Sequence, residues 1–162
     1  MVLEAKTEIA IVGEVNTGKS SLIKRLTGNA EIKVGPLPGE TVTPKSYLYK
    51  DIVLVDTPGL NDININITKK INKELKNFKN VVLLLNAAGT VLSKNELDLY
   101  KKLKKYKMNM LIVINKIDKA DSKDSIIRYV KQKTENEVQI IAVSVKTGEN
   151  IEQLEKALLK MK

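Results

Sequence analysis

Eight residues near the start of the chain, Gly13 to Ser20 (GEVNTGKS), have the types and spacing needed to hold an anion. They follow the pattern G-x-x-x-x-G-K-[ST], with an apolar run, Ile9 to Val12, leading into it. Glycines at both ends let the backbone fold tightly, so that consecutive N–H groups and the N-terminus of a following helix point at one place. Lys19 adds a point charge suited to β and γ phosphate oxygens, and Ser20 a hydroxyl suited to Mg²⁺. Nucleotide phosphate is therefore the first ligand to consider, with Asn16, Thr17, Gly18, Lys19, Ser20 and Ser21 as candidate contacts. The bland alternative is an ordinary glycine-containing turn before a helix.

The elements that must position this loop can be read from the hydrophobic pattern. Short apolar β-branched runs alternate with longer segments that repeat apolar residues at helical spacing, which predicts βαβ units around a parallel sheet. Strands are expected over Thr7–Val12, Ser46–Lys50, Asp51–Asp56, Val81–Asn86, Met110–Asn115 and Val138–Val143, the second and third joined by a tight turn at Lys50 and Asp51. The last three are continuous apolar runs, as expected for strands covered on both faces. Helices are expected from Lys19 to Leu26, around Ile67, Ile71, Leu75 and Phe78, around Leu92, Leu97, Tyr100 and Leu103, around Ile126, Ile127 and Val130, and over Ile151, Leu154, Leu158 and Met161. Asn61 to Ile67 alternates polar and apolar with period two, but it follows a Pro-Gly turn and is expected to be a loop entering a helix. No linker or repeat is visible, so residues 1–162 are expected to form one domain.

Asn115-Lys116-Ile117-Asp118 closes one of the apolar runs, and open α/β sheets bind ligands at the carboxyl ends of their strands. With this second motif the chain resembles the phosphate-loop GTPases of the TrmE, Era and EngA type, whose guanine motif is N-K-x-D. The resemblance implies a three-layer α/β fold, the Ras-like G domain, with a six-stranded, mostly parallel sheet and helices on both faces. It also implies roles: Asp118 accepts two hydrogen bonds from the guanine ring N–H and exocyclic amine, Lys116 lays its stem over the base, and Asn115 ties neighbouring loops together. Asp56-Thr57-Pro58-Gly59 matches the family's D-x-x-G, in which Asp56 reaches Mg²⁺ through water and the Gly59 N–H touches the γ-phosphate. Ser144-Val145-Lys146 resembles the fifth motif, usually S-A-K, whose backbone N–H meets the guanine oxygen. Pro38-Gly39-Glu40-Thr41 resembles the first switch segment, which makes Thr41 the expected ligand of Mg²⁺ and γ-phosphate, with Thr43 the alternative. By the same resemblance Lys19, Thr41 and Gly59 are the catalytic set, and Mg²⁺ is the cofactor.

Leu60 stands where Ras-like members carry the glutamine that orients the attacking water, and an apolar side chain cannot do that. Several relatives instead use an asparagine at the position of Asn16 to coordinate a potassium ion beside the phosphates. The alternative for Asn16 is a loop residue that tolerates unusual backbone angles. The expected function is hydrolysis of GTP to GDP as a molecular switch, slow without potassium or a partner. Two rivals stand beside it: a guanine-nucleotide-binding module with negligible turnover, and an isolated G domain of a larger dynamin-like or transporter-linked GTPase. The segments GPLPGE and DTPGLND also resemble dynamin-like chains. A compact accessory GTPase of the ethanolamine-utilisation kind is comparable in length, but its guanine motif is usually less regular.

A net charge of +9 is carried almost wholly by lysine, since Arg25 and Arg128 are the only arginines. Lysine attracts polyanions diffusely and reads bases poorly, and with no Trp and one Phe there are few stacking platforms, so sequence-specific DNA binding is not expected. The run Lys101 to Lys107 (KKLKKYK), with lysines at 69, 70, 73, 76 and 79, has two readings. It could dock ribosomal RNA or an anionic membrane, or it could be a solvated helix end whose charge suits the helix dipole. The absence of cysteine and of a ~20-residue apolar run leads to the expectation of a soluble, cytoplasmic protein.

Overall fold

The computed structural model describes residues 6–28, 31–32, 45–57, 69 and 73–161. Thr41, Thr43, Pro58, Gly59, Leu60 and the Asn61 to Ile67 stretch lie outside the described residues. The strands are β1 (Thr7–Val12), β2 (Glu31–Ile32), β3 (Lys45–Tyr49), β4 (Ile52–Asp56), β5 (Asn80–Asn86), β6 (Asn109–Asn115) and β7 (Gln139–Ala142). They form one sheet in the order β2-β3-β4-β1-β5-β6-β7. From β4 to β7 every pairing is parallel, whereas β3 runs antiparallel to β4 and β2 antiparallel to β3. All six expected strands are present, and the two-residue β2 extends the sheet at its antiparallel edge. A two-residue strand leaves no period for a pattern to reveal.

Among the described residues the helices with full bounds are α1 (Lys19–Thr27), α2 (Lys94–Lys105), α3 (Lys123–Lys133) and α4 (Ile151–Leu159), with a short 3-10 turn over Ile117–Lys119; residues 73–75 are helical too, while Ile67 and Ile71 of the helix expected there lie outside the described residues. Side chains of a strand alternate between faces, and the sheet uses both. Ile9, Ile11, Leu84, Leu111 and Val113 pack with Leu22 and Ile23 of α1 and Leu154 and Leu158 of α4. Ala10, Val12, Leu83, Leu85, Ile112 and Ile114 pack with Leu99, Tyr100 and Leu103 of α2 and Val130 of α3. This three-layer arrangement explains the unbroken apolar runs of β5 and β6, and each fully buried aliphatic side chain contributes about 1.5–3 kcal/mol. Among the described residues no helix is long and apolar enough to cross a membrane.

The start of α2 differs from the sequence reading. Leu92 is not part of the helix but stands before its cap, buried and left-handed at φ 58. Ser93 is the N-cap, its side chain accepting the Glu96 N–H while the Glu96 carboxylate accepts the Ser93 N–H, a reciprocal capping box. Leu92 and Leu97 occupy the flanking positions of a hydrophobic staple within one apolar cluster. Glu96 is 1% exposed, and burial pushes its carboxyl from 4.5 up to about 7, the Ser93 N–H opposing the rise and the Glu14 charge adding to it.

A raised carboxyl pKa means that the folded state holds its proton more tightly than the unfolded chain does. Stability attributable to Glu96 therefore falls as pH rises from 4.5 to about 7 and is level above that. The change is on the order of 3 kcal/mol at most. Glu96→Gln keeps an acceptor for the Ser93 N–H and is expected to flatten this slope. Urea unfolding at about pH 5 and about pH 8 measures it, and equal slopes for the two proteins would disprove the assignment.

Candidate functional site

The phosphate loop leaves β1 at Val12 and passes close over β5. A Cβ on Gly13 would lie 2.5 Å from the Leu84 carbonyl oxygen, so only glycine allows the approach. The loop then turns through Asn16 at φ 68 and Gly18 at φ 95, left-handed positions that suit asparagine and glycine. Thr17 is buried, and its Oγ1 donates to the Glu14 carbonyl at 2.9 Å, which ties the turn together. Gly18 caps α1 with no side-chain acceptor, and the first turn of α1 carries no acidic residue. The helix N-terminus is thus presented to a ligand, not closed by its own chain. Lys19 Nζ donates to the Gly13 carbonyl at 3.1 Å, folding back along the loop. A cleft of about 440 Å³ is lined by Val15 to Ser21 together with Lys116.

Lys116 comes from the other motif, and the fold brings the two together by two bonds, with a third tying in the loop after β7. Asn115, at the end of β6 and buried, donates Nδ2 to the Thr17 carbonyl at 3.0 Å. Its Oδ1 accepts the Val145 N–H at 3.0 Å. Lys116, left-handed at φ 63, donates Nζ to the Asn16 carbonyl at 2.6 Å. One amide therefore joins the phosphate loop, the end of β6 and the loop after β7. The same amide nitrogen would sit 2.5 Å from a Cβ on Gly18, so that glycine is required by space as well as by φ.

Asp118 lies in the 3-10 turn, exposed, with Oδ1 accepting from Ser144 Oγ at 2.7 Å. That bond, with help from Lys146 and Lys119, holds its carboxyl below the usual carboxylate range, so it is an anionic acceptor at neutral pH. Ser144 is fully buried and its Oγ also accepts the Thr147 N–H at 3.1 Å, which fixes the hydroxyl toward Asp118. A carboxylate can accept about four hydrogen bonds, so Ser144 leaves capacity for a ligand's donors. The Val145 N–H, expected to meet a base oxygen, is occupied by Asn115 Oδ1, and a base oxygen there would have to share it. Arg25, not singled out from sequence, donates Nη1 to the Val145 carbonyl at 2.8 Å and anchors this loop to α1.

Ser20 and Asp56 meet across 36 residues, Ser20 Oγ donating to Asp56 Oδ2 at 3.2 Å. Burial raises the Asp56 carboxyl, against the pull of Lys19, the Ser20 hydroxyl and Lys45. A desolvated carboxylate beside a hydroxyl, both hard oxygen donors, fits a divalent cation such as Mg²⁺. Among the described residues no cluster of three or more His, Cys, Asp or Glu side chains could hold a metal alone. Two oxygen ligands suit an ion that takes the rest of its shell from water and phosphate. Asn16 lines the cleft, exposed, with no hydrogen-bond partner for its side chain among the described residues.

A second feature escaped the sequence reading. Glu14, inside the phosphate loop, is held by Ser93, the N-cap of α2. The sequence holds the capping-box spacing S-x-x-E at Ser93 and Glu96, a signal of a helix start that apolar periodicity alone passes over, but nothing local points from it to residue 14.

Several known proteins resemble this chain in sequence and in fold. The family described as 50S ribosome-binding GTPase matches residues 8–116. The chain is 33% identical over 139 residues to the "probable GTP-binding protein EngB" of Clostridium kluyveri, covering 79% of this chain and 70% of that one. It is 34% identical over 156 residues to GTPase Era of Buchnera aphidicola, covering 91% of this chain and 54% of the relative, so it spans about half of that protein's length. The solved G domain of the T. maritima FeoB iron transporter superposes with a TM-score of 0.70 at 28% identity, covering 96% of this chain and 98% of that one. With the phosphate loop, the N-K-x-D turn and the sheet order all in place, the chain belongs to the small phosphate-loop GTPases of the TrmE, Era, EngA and EngB superfamily.

Proposed function

We propose that this GTP-binding and GTP-hydrolysing G domain works as a cytoplasmic molecular switch of Era-like type, slow in isolation and assisted by potassium. The observation that carries the reading is the Asn115 amide, which couples the loop that would hold the phosphates to the loop that would read the base. Ligand at one end is thereby linked to geometry at the other. Residues 1–162 are proposed to form one G domain, with effector and exchange factors unspecified.

In this reading the backbone N–H groups of residues 16 to 21 and Lys19 hold the polyphosphate, and Asp118, Lys116, Ser144, Val145 and Lys146 hold the guanine. Ser20 and Asp56 would hold Mg²⁺, with Thr41 as the proposed switch ligand and the Gly59 N–H as the proposed γ-phosphate contact. The chemistry a bound Mg²⁺ supplies is neutralisation of charge on the β and γ oxygens. Phosphoryl transfer is catalysed mainly by positioning and charge stabilisation. Arg25 is committed to the Val145 carbonyl, so it does not serve as the extra positive charge. Asn16, which lines the cleft, is proposed to help hold a monovalent cation in that role.

The lysine-rich surface is better read as a solvated helix end than as a docking face for RNA or membrane. Lys102, Lys104 and Lys105 lie in the last turn of α2, where they suit the dipole. Lys104 pairs with Glu137 and, at 3.9 Å, with Glu135, and Lys76 lies 5.3 Å from the centre of the Tyr106 ring.

Single-turnover GTP hydrolysis in potassium and in sodium buffers tests the proposal. Hydrolysis severalfold faster in potassium is expected, with the difference lost in Asn16→Ala. Measurable turnover at equal rates in both salts would discard the potassium role, and no turnover in either, with GTP bound, would favour the non-hydrolysing binding module.

A further inference from the structure

The phosphate loop of this chain carries a carboxylate, Glu14, next to its first glycine. A negative side chain in a loop that holds polyphosphate opposes binding unless it is turned away. Ser93 does the turning: its Oγ donates to Glu14 Oε1 at 2.5 Å, across 79 residues of sequence. Ser93 is itself held from two sides, its N–H donating to Glu96 Oε2 at 2.8 Å and its Oγ accepting the Glu96 N–H at 3.2 Å. A serine hydroxyl has a single proton to donate, and here it goes to Glu14.

A capping box needs only the serine and the glutamate. The bond to Glu14 is additional, and its surroundings are built firmly. Glu96 is buried at 1% exposure. Leu92, the residue before the serine, is also buried and sits at φ 58, a left-handed conformation that costs about 1–2 kcal/mol. Strain retained beside a functional loop is a reason to look for a role.

Building on the nucleotide-binding reading, we propose that Ser93 is a positioning residue for polyphosphate: it pins the Glu14 carboxylate to the N-terminus of α2, away from the ligand. There the partial positive charge of the helix end meets the carboxylate. Released from Ser93, Glu14 would be free to swing toward the phosphates and repel them.

The effect must scale with ligand charge, which a merely structural role would not produce. In Ser93→Ala, GTP affinity, read by competition with a fluorescent GDP analogue in magnesium buffer, falls about tenfold. GDP affinity falls less, guanosine affinity is unchanged, and the losses shrink at high salt. In a Glu14→Gln background the same substitution costs little. Where alanine compromises folding, Ser93→Gly removes the hydroxyl and keeps a competent N-cap. An equal loss for guanosine and GTP, the same loss in both Glu14 backgrounds, or no loss would overturn the role of Ser93 alone. Failure of the unaltered protein to bind GTP would overturn the nucleotide reading and this inference with it.

Discussion

Asp118→Asn is expected to leave a folded protein that no longer prefers GTP and GDP to ATP and ADP. Asp118 is exposed, so its exchange for a side chain of equal size costs the fold little. Its ligand chemistry changes sharply. The carboxylate is anionic, oriented by Ser144 Oγ at 2.7 Å, and can accept from two guanine donors at once. An amide offers one acceptor and one donor, so one guanine N–H then faces another N–H. Hydrogen bonds to charged groups contribute about 1.5–3 kcal/mol each, and losing both lowers guanine affinity roughly a hundredfold or more. Xanthine carries an oxygen at the position of the amine, so xanthine nucleotides should gain affinity in the variant. Competition titrations with GDP, ADP and xanthosine diphosphate read all three effects. An unchanged preference for guanine would show that the base is read elsewhere.

Lys19→Ala should give the complementary pattern, a loss that ignores the base and follows the phosphates. The ammonium folds back onto the Gly13 carbonyl at 3.1 Å, so it already lies along the loop whose amides would surround the anion. Each charge-assisted bond to phosphate is worth about 1.5–3 kcal/mol. The substitution should therefore cost GTP, GDP and pyrophosphate roughly ten- to a hundredfold in affinity, and guanosine nothing. Calorimetric titration of these ligands in magnesium buffer measures it. Equal weakening of guanosine would point to collapse of the cleft, and no weakening of GDP would remove Lys19 from the binding set. The two substitutions together separate ring from tail, and each is a control for the other.

The phosphate loop was legible because its function is local. Gly13, Gly18 and Lys19 must stand at fixed spacing for a short stretch of backbone to close on an anion, and the spacing is written in the chain. The same holds for the N-K-x-D turn and for the apolar runs of β5 and β6, whose unbroken hydrophobicity records burial on both faces. The start of α2 was less legible. Apolar periodicity draws Leu92 into the helix, but the Ser93 hydroxyl accepts the Glu96 N–H and caps the helix, which starts two residues later at Lys94. The edge strand β2 is too short to leave a pattern.

What the amino-acid sequence determined by itself is therefore the residues at hand: a glycine-rich loop suited to an anion, a carboxylate proposed to read the base and the strands that end beside them. What tertiary structure decided is which of these touch. Asn115 reaches Thr17 across 98 residues, Lys116 reaches Asn16 across 100, and Ser93 reaches Glu14 across 79. Those contacts exist because β1 lies between β4 and β5 and next but one to β6, an order set by parallel crossovers and by two-sided packing of the sheet. Local patterns report how each segment buries its own side chains; the meeting of distant loops follows from how whole layers pack, and no short stretch of sequence carries that information.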